Sequence, residues 1–137
     1  MPARFARERG NISPPLEFAN VPPNARSLVI VMDDPDAPHE TFTHWLVWNL
    51  PPSTSMILEN QLPAGARIGR NDFGDVGYGG PRPPSGTHRY FFHAYALKQT
   101  LELPRGASRR ELERMLEAHL LETATLMGRF SAGQPKS

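Results

Sequence analysis

The sequence predicts a mainly β, antiparallel domain with a single late α-helix laid against it, and three observations carry that prediction. Three apolar, β-rich runs of strand length are separated by turn-rich loops. Prolines leave no room for helices before residue 108, which excludes the strand–helix alternation of a doubly wound nucleotide fold. One stretch after residue 108 carries a helical period. At 137 residues, with no repeat and no linker, the chain reads as one domain over 1–137.

Residues 1–23 lack a clean period, and Pro14, Pro15, Pro22 and Pro23 forbid a helix through them; at most Leu16 to Ala19 is a short strand. Ser27 to Met32 is a continuous β-branched and apolar run, the pattern of a strand buried on both faces. It stops at Asp33-Asp34-Pro35-Asp36-Ala37-Pro38, a rigid acidic loop. Thr43 to Leu50 is the second strand, ended by Pro51-Pro52. A stretch dense in Gly and Pro follows, from Gly65 to Gly86, too long and too helix-free to be a plain connector. Arg89 to Leu97 is the third strand. The helix is expected from about Arg109 to Met127, started by a capping box of Ser108 and Glu111 and stopped by Gly128. Its apolar stripe is Leu112, Met115, Leu116 and Leu120, with His119 beside it as a packing residue.

Composition narrows the function classes. Fifteen Lys and Arg against 14 Asp and Glu give a net charge of +1, no field for nucleic acid or an anionic membrane. The absence of Cys removes disulfides, thiolate catalysis and cysteine-based metal sites. No segment approaches the ~20 apolar residues of a membrane span, and the N-terminus has charges without an apolar run behind them, so the expected location is the cytoplasm, with no membrane insertion.

The residues able to carry chemistry cluster at strand ends. Asp34 and Asp36 follow the first strand, His44 opens the second, and His88 and Tyr90 open the third, after the Gly/Pro loop. Period 2 points His88 and Tyr90 to one face, opposite Arg89. Asp34 and Asp36 taken alone suit a turn before proline, and each histidine taken alone is an ordinary edge residue; together they describe a pocket. Gly77 to Gly86 matches no phosphate-loop motif, but backbone N–H groups at Gly79 and Gly80 could form a small anion nest. A metal site is disfavoured by the lack of H-x-H or H-x-x-x-H spacing, and no G-x-S-x-G elbow signals a hydrolase.

In order along the chain, Asn11-Ile12-Ser13-Pro14-Pro15-Leu16, Asp34-Pro35-Asp36-Ala37-Pro38, Thr43-His44-Trp45, Asn49-Leu50-Pro51, Gly80-Pro81 with Pro83-Pro84 and Gly86, and His88-Arg89-Tyr90 resemble the phosphatidylethanolamine-binding protein family, which includes the Raf kinase inhibitor proteins, most closely its small bacterial and archaeal branch. The resemblance implies an antiparallel, Greek-key-like β-sandwich with the C-terminal helix packed against it. It also implies a pocket for phosphate-like anions, such as a phosphorylated small molecule or headgroup, lined by Asp34, Asp36, His44, Gly80, Pro81, His88 and Tyr90, with a cis Ala37-Pro38 bond. Family members bind or inhibit kinases or proteases without established turnover, and bacterial relatives pair as homodimers. The family's strand before the Asn-x-Ser-Pro motif is shortened or missing here. Neither cofactor nor metal is expected.

The expected mechanism has His44 and His88 donating N–H bonds to the anion, with the Tyr90 hydroxyl and the Gly80 amide adding two more and Asp34 orienting an imidazole from behind. Two rival readings use the same sequence: an acid–base enzyme acting on a phosphoester through Asp34 and His88, and a protein-interaction module independent of the pocket.

Overall fold

The computed structural model describes residues 1–83 and 85–131; Pro84 of the Gly/Pro loop and residues 132–137 of the expected domain lie outside the described residues. After a short 3-10 turn, Ala3–Phe5, the strands are β1 (Leu16–Glu17), β2 (Ser27–Asp34), β3 (Phe42–Leu50), β4 (Met56–Ile57), β5 (Arg67–Ile68) and β6 (Thr87–Leu97), then α1 (Arg109–His119) and β7 (Leu120–Ser131). β1 pairs with β4 in a small sheet, and the main sheet has the order β5-β3-β2-β6-β7, every pairing antiparallel. Strands β2, β3 and β5 run side by side and β6 returns to the free side of β2, a Greek key.

The apolar run of β2 makes it the centre of the sheet: all eight residues are buried. Ile30 and Met32 meet Trp45, Val47, Tyr90 and Phe92 on one face, covered by Leu16, Phe18 and Ile57 of the small sheet and its flanks. Val29 and Val31 meet Leu46, Trp48 and Leu97 on the other, covered by Leu101, Leu103 and the Leu112 and Leu116 stripe of α1. Side chains of this size contribute about 1.5–3 kcal/mol each when fully buried. The capping box is present as expected, Ser108 Oγ accepting from Glu111 N and Glu111 Oε1 accepting from Ser108 N.

Three expectations are corrected. The helix ends at His119, not Met127: Leu120 is already extended at φ −67°, ψ 131°, and β7 then pairs along the length of β6. Leu116 is the last buried residue of the apolar stripe, and Leu120 beyond it is exposed. The β-branched Thr123 and Thr125 instead extend and take up the backbone groups of Tyr95 and His93. Gly128 therefore lies inside a strand, opposite Tyr90, rather than at a helix stop. Asp33 and Asp34 belong to β2 and not to the following loop, because β3 and β6 continue to pair with that end of the strand. No peptide bond among the described residues is cis, so Ala37-Pro38 is trans; a turn closed by the Asp36 N–H on Asp34 Oδ1 (2.8 Å) carries the chain into it.

Candidate functional site

Sheet order brings the chemistry together. β2 lies between β3 and β6, so Asp34 at its end has the start of β3 on one side and the start of β6 on the other. Strand period sends His88 and Tyr90 to one face, both buried, while Arg89 between them is exposed. His44 needs a different device. Met32 pairs with Trp45 but Asp33 pairs with Thr43, so β3 carries an extra residue there. That β-bulge lets His44 share the face of Trp45, where strict alternation would send it to the opposite face.

The result is a cavity of about 150 Å³ lined by Asp34, Ala37, Pro38, Phe42, His44, Phe73, Arg82, Pro83, His88 and Tyr90. The His44 and Tyr90 rings meet edge to face at 5.3 Å between centroids, and His88 stacks near Tyr90 at 6.4 Å. Phe42 and Phe73 form an aromatic wall, 4.8 and 5.5 Å from His44. Two larger apolar grooves, about 220 and 210 Å³, run under residues 15–22 against β6 and β7; Asp34, His44, His88 and Tyr90, all buried, converge on the smaller cavity.

Hydrogen bonds set what each group can offer. His88 Nδ1–H donates to Asp34 Oδ2 at 2.5 Å, and Asp34 Oδ1 already accepts the Asp36 N–H, so the carboxylate is engaged on both oxygens. His44 Nδ1 lies 2.6 Å from the Gly79 carbonyl, which can only accept, so this nitrogen carries the proton. Burial pushes the His44 imidazole below its ordinary value, against the opposing pull of the Gly79 and Gly80 backbone and the Asp34 charge. His44 is therefore neutral near pH 7 and keeps Nε2 as a lone pair, not the N–H donor expected from sequence. The Tyr90 hydroxyl is held protonated, burial first and then the charges of Asp34 and Asp36 pushing it up. It is also the one buried side-chain polar atom without a hydrogen-bond partner among the described residues.

Of the sequence-predicted site residues, Asp34, His44, His88 and Tyr90 line the cavity, and Asp36, Gly80 and Pro81 do not. Asp36 clasps Arg89 through Nε, Nη2 and the backbone N–H, at 2.9, 2.8 and 2.8 Å, and these bonds hold its carboxyl well below the usual carboxylate range. The expected glycine nest does not form, because both amides have protein partners: Gly79 N–H donates to His44 O (2.9 Å) and Gly80 N–H to Asn11 Oδ1 (2.7 Å). The glycines serve close approach instead. A Cβ at Gly80 would lie 2.1 Å from the Phe5 carbonyl oxygen, and one at Gly79 would strike the Phe73 ring. Pro81 accepts the Arg7 N–H at 3.1 Å, fixing the N-terminal segment behind the loop. Sequence reasoning missed Phe42, Phe73 and Arg82 as cavity walls. The Asn71-Asp72-Phe73-Gly74 turn, where Asn71 Oδ1 accepts the Phe73 and Asp75 N–H groups, was the available signal for Phe73.

Comparison with known proteins places this architecture. Residues 1–131 match the family model described as phosphatidylethanolamine-binding protein. A UPF0098 protein of Methanothermobacter thermautotrophicus is 45% identical over 138 residues, covering 97% of this chain and 91% of that one. The crystal structure of a phosphatidylethanolamine-binding protein homologue from Chlamydia trachomatis superposes with a TM-score of 0.89 at 38% identity, covering 95% of this chain and 88% of the other. The structure of E. coli YbcL, described as a new member of the mammalian family, superposes with a TM-score of 0.84 at 34% identity, covering 89% of this chain and 81% of the other.

Proposed function

The chain belongs to the phosphatidylethanolamine-binding protein family, and on that premise we propose that its cavity binds a phosphate-like anion, as a phosphorylated small molecule or headgroup. The observation that carries this reading is the Tyr90 hydroxyl, buried, protonated and without a partner among the described residues, on a side chain that lines a cavity with two imidazoles. An unpartnered buried hydroxyl costs about 1–3 kcal/mol, which a ligand oxygen would recover. In this reading the Tyr90 O–H donates to one phosphate oxygen. His88, steadied by Asp34 at Nδ1, meets a second through Nε2, and His44 contributes a neutral ring packed edge to face on Tyr90. Phe42, Phe73 and Pro38 suit a short apolar substituent on the phosphate. Asp36, Gly80 and Pro81 act behind the wall, by holding its loops.

Action on a kinase or protease and pairing as a homodimer rest on family membership alone and add no residue to the site. The test is titration calorimetry with inorganic phosphate and ethyl phosphate. Binding should weaken about tenfold in Tyr90→Phe while that variant unfolds at the same or higher denaturant concentration. Equal affinity of Tyr90→Phe and wild type would remove the basis of the proposal. Turnover of ethyl phosphate lost in His88→Ala would favour the acid–base enzyme instead.

A further inference from the structure

The charges around the cavity do not balance an anion by themselves. The Asp34 carboxylate against His88 makes, at most, an imidazolium–carboxylate pair of zero net charge. His44 is buried with Nδ1–H held by a carbonyl and adds none. Arg89, exposed beside Tyr90, is matched to Asp36. Among the described residues that line the cavity, Arg82 is the only Lys or Arg.

Arg82 already has a carboxylate partner. Its Nε–H donates to Glu8 Oε1 at 2.7 Å, and both side chains are more than half exposed, at 57% and 65%. Water and salt screen such a pair, so a better acceptor displaces it readily. A phosphate offers two oxygens to the guanidinium fork and, as a dianion, twice the negative charge of the Glu8 carboxylate. The meeting is set by the fold, because the segment carrying Glu8 is anchored one residue earlier. Arg7 N–H donates to Pro81 O at 3.1 Å, and the Arg7 guanidinium sits 3.8 Å over the Phe73 ring.

We propose that Arg82 is the charge-balancing cation of this cavity and Glu8 its built-in competitor, so that the site selects dianionic phosphomonoesters over monoanionic diesters. The inference rests on the reading of the cavity as an anion site and names the ligand class that site prefers. A dianion carries enough charge to take Arg82 from Glu8, whereas a diester gains less from the exchange.

Calorimetry of the full chain with ethyl phosphate and diethyl phosphate, near neutral pH and at low salt, tests it. Glu8→Gln should bind ethyl phosphate about two- to fivefold more tightly, the size of one exposed ion pair removed. Arg82→Gln should bind it about tenfold or more weakly and lose the preference for monoester over diester. Arg82→Lys should keep the preference at reduced affinity. Thermal unfolding should shift little in all three, since both side chains are exposed. An Arg82 that only held the loop would make Glu8→Gln weaken binding too. Failure of Glu8→Gln to tighten binding, or survival of the preference in Arg82→Gln, overturns the proposal. If the wild-type protein binds neither ester nor inorganic phosphate, the anion reading falls, and this inference with it.

Discussion

Asp33 and Asp34 are neighbours in β2, face opposite sides of the sheet and each meets a histidine of β6, yet their surroundings differ in kind. On the helix side Asp33 accepts from His93 Nε2 at 3.1 Å and from Arg109 Nη1 at 2.9 Å, and Arg109 continues to Thr43 and Glu113. Burial alone would raise the Asp33 carboxyl, but the His93 hydrogen bond and the Arg109 charge outweigh it and hold the group below its ordinary value. On the cavity side Asp34 has His88 and a backbone amide, with a tyrosine hydroxyl nearby that has no partner among the described residues. A His–Asp pair is therefore not a site in itself. A guanidinium that saturates the carboxylate makes a staple between helix and sheet; an open cavity beside a satisfied pair leaves the second imidazole nitrogen for a guest.

The contrast can be broken deliberately. Asp33→Ala should cost the most stability, about 2–4 kcal/mol, by leaving Arg109 and His93 without their carboxylate, while phosphate affinity stays near wild type. Urea unfolding with calorimetry on the same samples checks both halves. Because the folded value of Asp33 lies below the unfolded one, its stabilisation is present above the ordinary value of 3.8 and is lost as pH falls through the folded value. The gap between Asp33→Ala and wild type should accordingly narrow in acid. Ser108→Ala should cost about 1 kcal/mol through the lost helix cap and leave binding alone, since the cap lies on the staple side.

The smallest expected effect concerns pH. His44 is depressed on folding from its ordinary 6.5, so the unfolded chain takes up a proton there that the folded chain refuses. Stability should fall from neutral pH to about pH 5.5, and His44→Gln should flatten that slope. An unchanged slope in denaturation curves across this range would mean that burial does not hold His44 neutral.

Much of the fold and part of the site were legible from residue patterns. The apolar run of β2, the alternation in β6, the capping box and the prolines that bar early helices are local preferences, and each survives into the structure. His88 and Tyr90 on one face follow from period 2 alone. Four of the seven expected site residues line the cavity. The helix expected to reach Met127 failed because its later residues read as an amphipathic continuation until an open edge of β6 is available to pair with.

What the chain determined by itself was which residues prefer to extend, to cap and to turn. Tertiary structure alone decided which groups are already satisfied. The bulge that turns His44 inward exists only against β2, the Gly80 amide is closed by an asparagine 69 residues away, and His88 finds Asp34 across 54 residues. Those contacts depend on how distant segments cross in space. A sequence pattern records the preferences of neighbours, whereas the availability of a hydrogen bond or a charge depends on every group that folding brings beside it.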